Sequence, residues 1–179
     1  MHRIVSSITT LQQHIETLFH TPEIYRPQVC PHCGLNRLWR HGCYHRKADR
    51  NSPTCNRLKP VPIPRFCCRG CRHTCSRLPA CIAPRRWYDW AVQQQVLLML
   101  LSGYSLHGVS LAAQACRHTL RRWWQWLAVR SADFGFRLRS RFPELGRSTD
   151  WKAFWRACLE RMPLSDAMAW LDRQGVSIP

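Results

Sequence analysis

The chain has 179 residues, 45% of them apolar, with eleven cysteines, nine tryptophans and a formal charge of +17. That much apolar content excludes wholesale disorder, and the longest apolar run, Val96–Leu101, is far too short to span a bilayer as a helix. The charge comes from 24 arginines and three lysines against ten acids, and it points to a polyanionic partner.

In residues 1–25, Leu11, Ile15, Leu18 and Phe19 fall at helical spacing among polar residues and predict a short amphipathic helix. The segment lacks a basic start and a small-residue cleavage site, so a secretory leader is not expected. The expected compartment is therefore the reduced cytoplasm, in association with the nucleoid. Paired cysteines there point to metal rather than disulfides.

Residues 26–86 carry fourteen Arg and Lys against Asp49 alone. They also hold two short motifs of one spacing, Cys30-Pro-His-Cys33 and Cys68-Arg-Gly-Cys71. Two residues between sulfurs let one turn present both thiolates to a single ion. Two such turns complete a four-thiolate site, so one structural Zn²⁺ is expected on Cys30, Cys33, Cys68 and Cys71. Between the turns the pattern is β. Leu38–Arg46 reads as a strand with a possible bulge at Gly42, and Lys47–Pro53 as a turn. Lys59–Phe66 has proline at 60, 62 and 64, so its missing N–H donors share one side; this predicts an edge strand with Val61 and Ile63 inward. Cys67 and Cys75 are expected to pack beside the site. A second metal site from Cys43, Cys55, Cys75 or Cys81 with His32, His41 or His73 stays open, though none has the short paired spacing.

After residue 86 the period changes from two to about 3.6. Trp87–Gly103 predicts a helix, and Ser105 can cap a short helix running to about Ala113. Gln114–Cys116 can turn the chain into a further helix that buries Leu120, Trp123, Trp124 and Leu127. Its outer face presents Arg117, His118, Arg121, Arg122 and Gln125. A helix, a short turn and a helix with a basic face fit a helix-turn-helix lying in the major groove, where Arg pairs with guanine and Gln with adenine. An ordinary helical hairpin with a solvated basic face is the alternative. Further on, Trp151, Phe154, Trp155, Cys158, Leu159 and Met162 share a helical face, and Cys116 and Cys158 are expected to be buried. Pro163 ends that helix, and a last one is expected to be capped by Ser165 and stopped near Gly175. These closing helices read as a core extension or as a docking surface for a partner or a second copy.

Taken together, "CPHC…HGCYHR…RFCCRGCRHTCSRLP" followed by a helix and "TLRRWWQWL" resembles the zinc-ribbon plus helix-turn-helix module of bacterial insertion-sequence transposases and related small stand-alone proteins. The resemblance covers about Arg26 to Leu127. It implies recognition of transposon-end or similar duplex DNA, zinc on the four cysteines named, and a recognition helix containing Thr119–Trp123. Two positions depart from the pattern: Arg72 stands where glycine often follows the second knuckle, and the turn at 114–116 has no glycine.

The expected fold is thus α+β: a small antiparallel zinc ribbon (26–86) after the N-terminal helix (1–25), an all-α helix-turn-helix (87–130) and C-terminal helices (131–179). Arg40, Arg46, Lys47, Arg69, Arg72, Arg85 and Arg86 are expected to add DNA contacts to those of the helix. No β-rich stretch organises the acids after Leu127 into a three-carboxylate catalytic centre, so the chain is not expected to be an enzyme. Catalysis, if any, would come from a recombinase or transposase partner. A stand-alone transcriptional regulator, and a zinc-ribbon RNA-binding or protein-interaction module, are the other readings.

Overall fold

The computed structural model describes residues 3–46, 60–84, 88–148 and 150–178. The chain divides into two units, Met1–Asp89 and Trp90–Ser177. The first mixes α and β, and the second is helical. Among the described residues no helix is long and apolar enough to cross a membrane.

In the first unit, β1 (Ile4–Val5) is followed by α1 (Leu11–His20) and a 3-10 turn at Pro22–Tyr25. Thr10 starts α1 with a capping box, its hydroxyl accepting from Gln13 N–H while the Gln13 side chain accepts from Thr10 N–H. The buried side of this helix differs from the expected one. Phe19 is 80% exposed, and His14 is fully buried in its place. His14 lies one turn after Leu11, on the face that Ile15 and Leu18 share, whereas Phe19 has rotated past it. The imidazole is held at both ends: Nε2 is 2.9 Å from the Pro62 carbonyl and Nδ1 is 2.6 Å from the Tyr25 hydroxyl. A carbonyl only accepts, so Nε2 carries the proton and Nδ1 accepts from Tyr25. Burial pushes the His14 pKa down, keeping the ring neutral.

The sheet comprises β2 (Leu38–Arg46), β3 (Val61–Cys68) and β4 (Thr74–Cys75), antiparallel in the order β2-β3-β4. A two-residue strand β5 (Leu78–Pro79) pairs with β1 in parallel. Gly42 forms the expected bulge, at φ +71°, where the register shifts between Arg40 and Cys43. The proline strand is not at the sheet's edge: β3 is central. Its proline half nevertheless pairs with β2 only, because β4 reaches no further than Phe66 and Cys67. The Pro62 carbonyl faces His14, so the side without N–H donors is turned away from β2. Val61 and Ile63 are completely buried, as expected, against Leu78 and Ile82. The expected turn at Lys47–Pro53 lies outside the described residues.

The second unit contains α2 (Trp90–Leu101), α3 (Leu106–Ala112), α4 (Arg117–Arg141), α5 (Trp151–Arg161) and α6 (Leu164–Arg173). The 25-residue α4 runs through the expected boundary at 130/131, because Leu127, Ser131, Phe134 and Leu138 extend its buried stripe. Trp155 Nε1 donates to Ser131 Oγ at 3.0 Å, and that hydroxyl donates to the Leu127 carbonyl at 2.6 Å, so the polar tip of this buried ring is satisfied. Gln94 ties α2 to the α5–α6 corner: it accepts from Leu164 N–H at 2.7 Å and donates to the Leu159 carbonyl at 3.2 Å. Asp150 caps α5 through Ala153 N–H. Ser165, the expected cap of α6, is instead inside that helix. Pro163 occupies the cap position, and its lack of an N–H costs nothing there.

Candidate metal centre and basic helix face

The two cysteine turns are built alike. In the first, Cys30 N–H donates to the Leu35 carbonyl and Gly34 N–H to the Cys30 carbonyl, each at 2.8 Å. In the second, Cys68 N–H donates to the His73 carbonyl and Arg72 N–H to the Cys68 carbonyl, each at 3.0 Å. Gly34 has φ +74° and Arg72 has φ +62°, so Arg72 holds the left-handed position that glycine fills in the first turn. Arg69 N–H donates to the Arg37 carbonyl at 2.9 Å and links the second turn to the first.

These turns bring together the four sulfurs expected as ligands. Cys30 Sγ is 3.6 Å from Cys71 Sγ, Cys33 Sγ is 3.6 Å from Cys68 Sγ, and all four lie within 4.8 Å of one another. A tetrahedral four-thiolate ion with bonds of about 2.3 Å separates its sulfurs by about 3.8 Å. The cluster could therefore hold one metal ion. The backbone prepares it for thiolates. N–H groups of Cys33 and His32 hold the Cys30 pKa down to about 7, against the opposing effect of burial. Those of Cys71 and Gly70 lower Cys68 in the same way. The His73 N–H pulls Cys71 downward too, but burial and the three neighbouring sulfurs outweigh it and push that thiol up to about 12. Four thiolates crowded together repel one another, and a divalent cation relieves that repulsion.

The other cysteines separate cleanly from the cluster. Cys67 and Cys75 are buried, and burial raises Cys75 to about 11. Cys43 is exposed, Cys81 is half-buried, and Cys55 lies outside the described residues. Cys158 is buried and raised to about 12 by that burial. Cys116 is exposed, contrary to expectation. It stands at the N-cap of α4, before the buried stripe begins, with Sγ 3.1 Å from Thr119 Oγ1. A second group with ligand atoms in reach is His32, Cys71 and His73: both histidines are candidates for a second site, but the cysteine that joins them is Cys71 of the first cluster. The two imidazoles stack with centroids 3.6 Å apart at 12°. Parallel rings aim their in-plane lone pairs side by side rather than at one point, so this stack does not fit a shared ion.

In the second unit, α3 and α4 are joined by residues 113–116. Ser105 caps α3 through Gly108 N–H, and Gln114, at φ +49°, makes the reversal. The Ser110 hydroxyl donates to the Ala115 carbonyl at 2.7 Å across that turn. Val109, Ala115, Leu120, Trp123 and Leu127 are buried, while Trp124 is half-buried and meets Trp151 with ring centroids 5.0 Å apart. Arg117, His118, Arg121, Arg122 and Gln125 are all exposed along α4. No acid occurs between Asp89 and Asp133, so nothing in α3 or the first half of α4 neutralises this face. In the first unit Arg40, Arg69 and Arg72 are exposed, whereas Arg46 is half-buried and donates to the Ala83 carbonyl. Lys47, Arg85 and Arg86 lie outside the described residues.

A family described as a domain of unknown function, DUF6431, matches residues 30–123. The chain belongs to the DUF6431 family. No curated protein and no solved structure matches it. The matched DUF6431 region begins at the first sulfur of the cluster and ends in the second turn of α4, so it includes both cysteine turns and the α3–α4 pair. Sequence reasoning missed the His32–His73 stack and the buried His14. The spacing Leu11, His14, Leu18 carried the signal for the second of these.

Proposed function

We propose that this protein is a sequence-specific duplex-DNA-binding protein, zinc-stabilised and related to the DNA-recognition module of transposases. One observation carries the reading: α3, its tight turn and α4 expose Arg117, His118, Arg121, Arg122 and Gln125 on one side, in a stretch without a single acid. In a helix-turn-helix, side chains in the first turns of the second helix reach base edges. Arg121 and Gln125 are one turn apart, as neighbouring base readers would be. The four-cysteine cluster, with its sulfur separations, supports zinc as its ion; zinc bound there would be structural, with all four positions filled by protein. The protein acts as a recognition component and not as the catalyst of strand transfer.

Selection from random duplex DNA, with metal content measured on the same sample, tests this reading. A defined motif and about one zinc per chain are expected. Arg121→Ala relaxes preference at one base position by about 1–3 kcal/mol, whereas loss of a phosphate contact would weaken all sequences alike. Selection that yields no motif, or motif binding unchanged when Arg117, Arg121 and Arg122 are all replaced by Ala, rejects the reading.

A further inference from the structure

The sheet of the first unit carries exposed and half-buried aromatic and basic side chains that duplex recognition by α4 leaves unused. Trp39 and Tyr44 are five residues apart on β2, which in a regular strand would place them on opposite faces. The bulge changes this. Trp39 is opposite Cys67 and Tyr44 is opposite Ile63, two positions of the same face of β3, because His41 and Gly42 together face the single residue Arg65. The side chains then share that face. Trp39 and His41 pack edge to face with centroids 4.9 Å apart, and the Arg65 guanidinium lies 5.4 Å from the centre of the Tyr44 ring. Trp39 remains 41% exposed and His41 is exposed, so a large ring stands at the surface, braced by a neighbour, in a segment whose one acid is Asp49. Tyr44 also lines a shallow cavity of about 270 Å³ together with Arg3, Arg46, Thr74 and Ser76. Pro31, Cys75, Leu78 and Pro84 complete the lining, and its polar part has two cations and three hydroxyls with no carboxylate, which suits an oxyanion.

We propose that this bulged face of β2–β3 binds the unpaired nucleotides of a single-stranded nucleic acid, with a base stacked on Trp39 and a phosphate in the cavity beyond Tyr44. Aromatic rings and a basic track are what single strands require, since every base has a π-face and every linkage a charge. A base inside an intact duplex already has its faces stacked and cannot use Trp39. The site stands on residues of the first unit alone and does not depend on how α4 binds duplex.

Fluorescence anisotropy of the full zinc-loaded chain, with labelled 12-nucleotide single strands of DNA and RNA and the matching DNA duplex, provides the test. Trp39→Ala should weaken single-strand binding roughly 5- to 150-fold. Trp39→Phe should retain most of it, and duplex binding should change less than twofold with either variant. The tighter of the DNA and RNA strands identifies the source. Single-strand binding unchanged in Trp39→Ala, or an equal loss on duplex and single strand, overturns the proposal. Photocrosslinking the unsubstituted protein to a strand carrying 5-iodouracil gives a readout independent of how the variants fold. The crosslinked peptide should contain Trp39, and crosslinks confined to other peptides overturn the proposal.

Discussion

The two units reach stability by different physics. The first has small apolar clusters, and one of them incorporates cysteines of the candidate metal site: Cys30 and Cys68 pack with Val5, Ile8, Tyr25, Leu38 and Phe66. The second buries Trp155, Phe134, Phe154, Leu97, Leu120, Leu127 and Leu138 essentially completely, with none of the four clustered sulfurs among them. A region that builds its core around a candidate metal cluster should depend on an ion bound there, and one that builds it from large side chains should not.

On the proposed assignment of zinc to the four-cysteine cluster, removing that ion gives the largest expected effect. Structural zinc contributes on the order of 10 kcal/mol to folding in small domains. With a strong chelator, amide cross-peaks of residues 60–84 should collapse in heteronuclear NMR while those of the second unit persist, and Cys68→Ser should do the same without chelator. Dispersed peaks throughout the first unit after chelation would show that its apolar clusters suffice alone. Acid should loosen the site as well, since protons compete for the thiolates.

The converse experiment is Trp155→Ala. It deletes a ring with no exposed surface and leaves Ser131 Oγ without its donor, so about 3–5 kcal/mol of stability should be lost. The loss should appear as a lower thermal midpoint of the helical signal, with metal content unchanged. A variant that instead released the ion would erase the distinction between the units.

The same contrast governed what could be read beforehand. The helical unit was legible because period 3.6 and burial agree: Leu120, Trp123 and Leu127 are buried, and Ser105 caps where expected. The cysteine turns were legible because two residues between sulfurs let each turn direct both to one point, and the four do lie together. What escaped were features set by long-range packing. His14 reads as a polar residue of an amphipathic helix until Pro62, 48 positions away, offers its carbonyl. The proline strand reads as an edge until β4 pairs beyond the prolines. Cys116 carries a helical-core pattern but falls on the N-cap, where the side chain leaves the buried stripe. The Trp39 patch depends on a one-residue bulge, which was visible as Gly42, but its effect on facing was not, because that needs the register of the partner strand.

The smallest prediction concerns the two turns, which share hydrogen bonds but differ at one residue. Gly34 and Arg72 both sit at positive φ, near +74° and +62°. Left-handed backbone costs a residue with a Cβ about 1 kcal/mol relative to glycine, partly offset by the greater freedom glycine has when unfolded. Arg72→Gly should therefore stabilise the first unit by up to about 1 kcal/mol, and Gly34→Ala should destabilise it by a similar amount, both read from chelator-dependent unfolding. A Cβ at 34 meets nothing within 4 Å, so the second effect is conformational and not steric. If Arg72 is kept for contact with a nucleic-acid phosphate, Arg72→Gly will be the more stable protein and the weaker binder, with the loss shrinking as salt rises. A stabilised variant with undiminished binding would mean that the strained arginine contributes nothing to the interface.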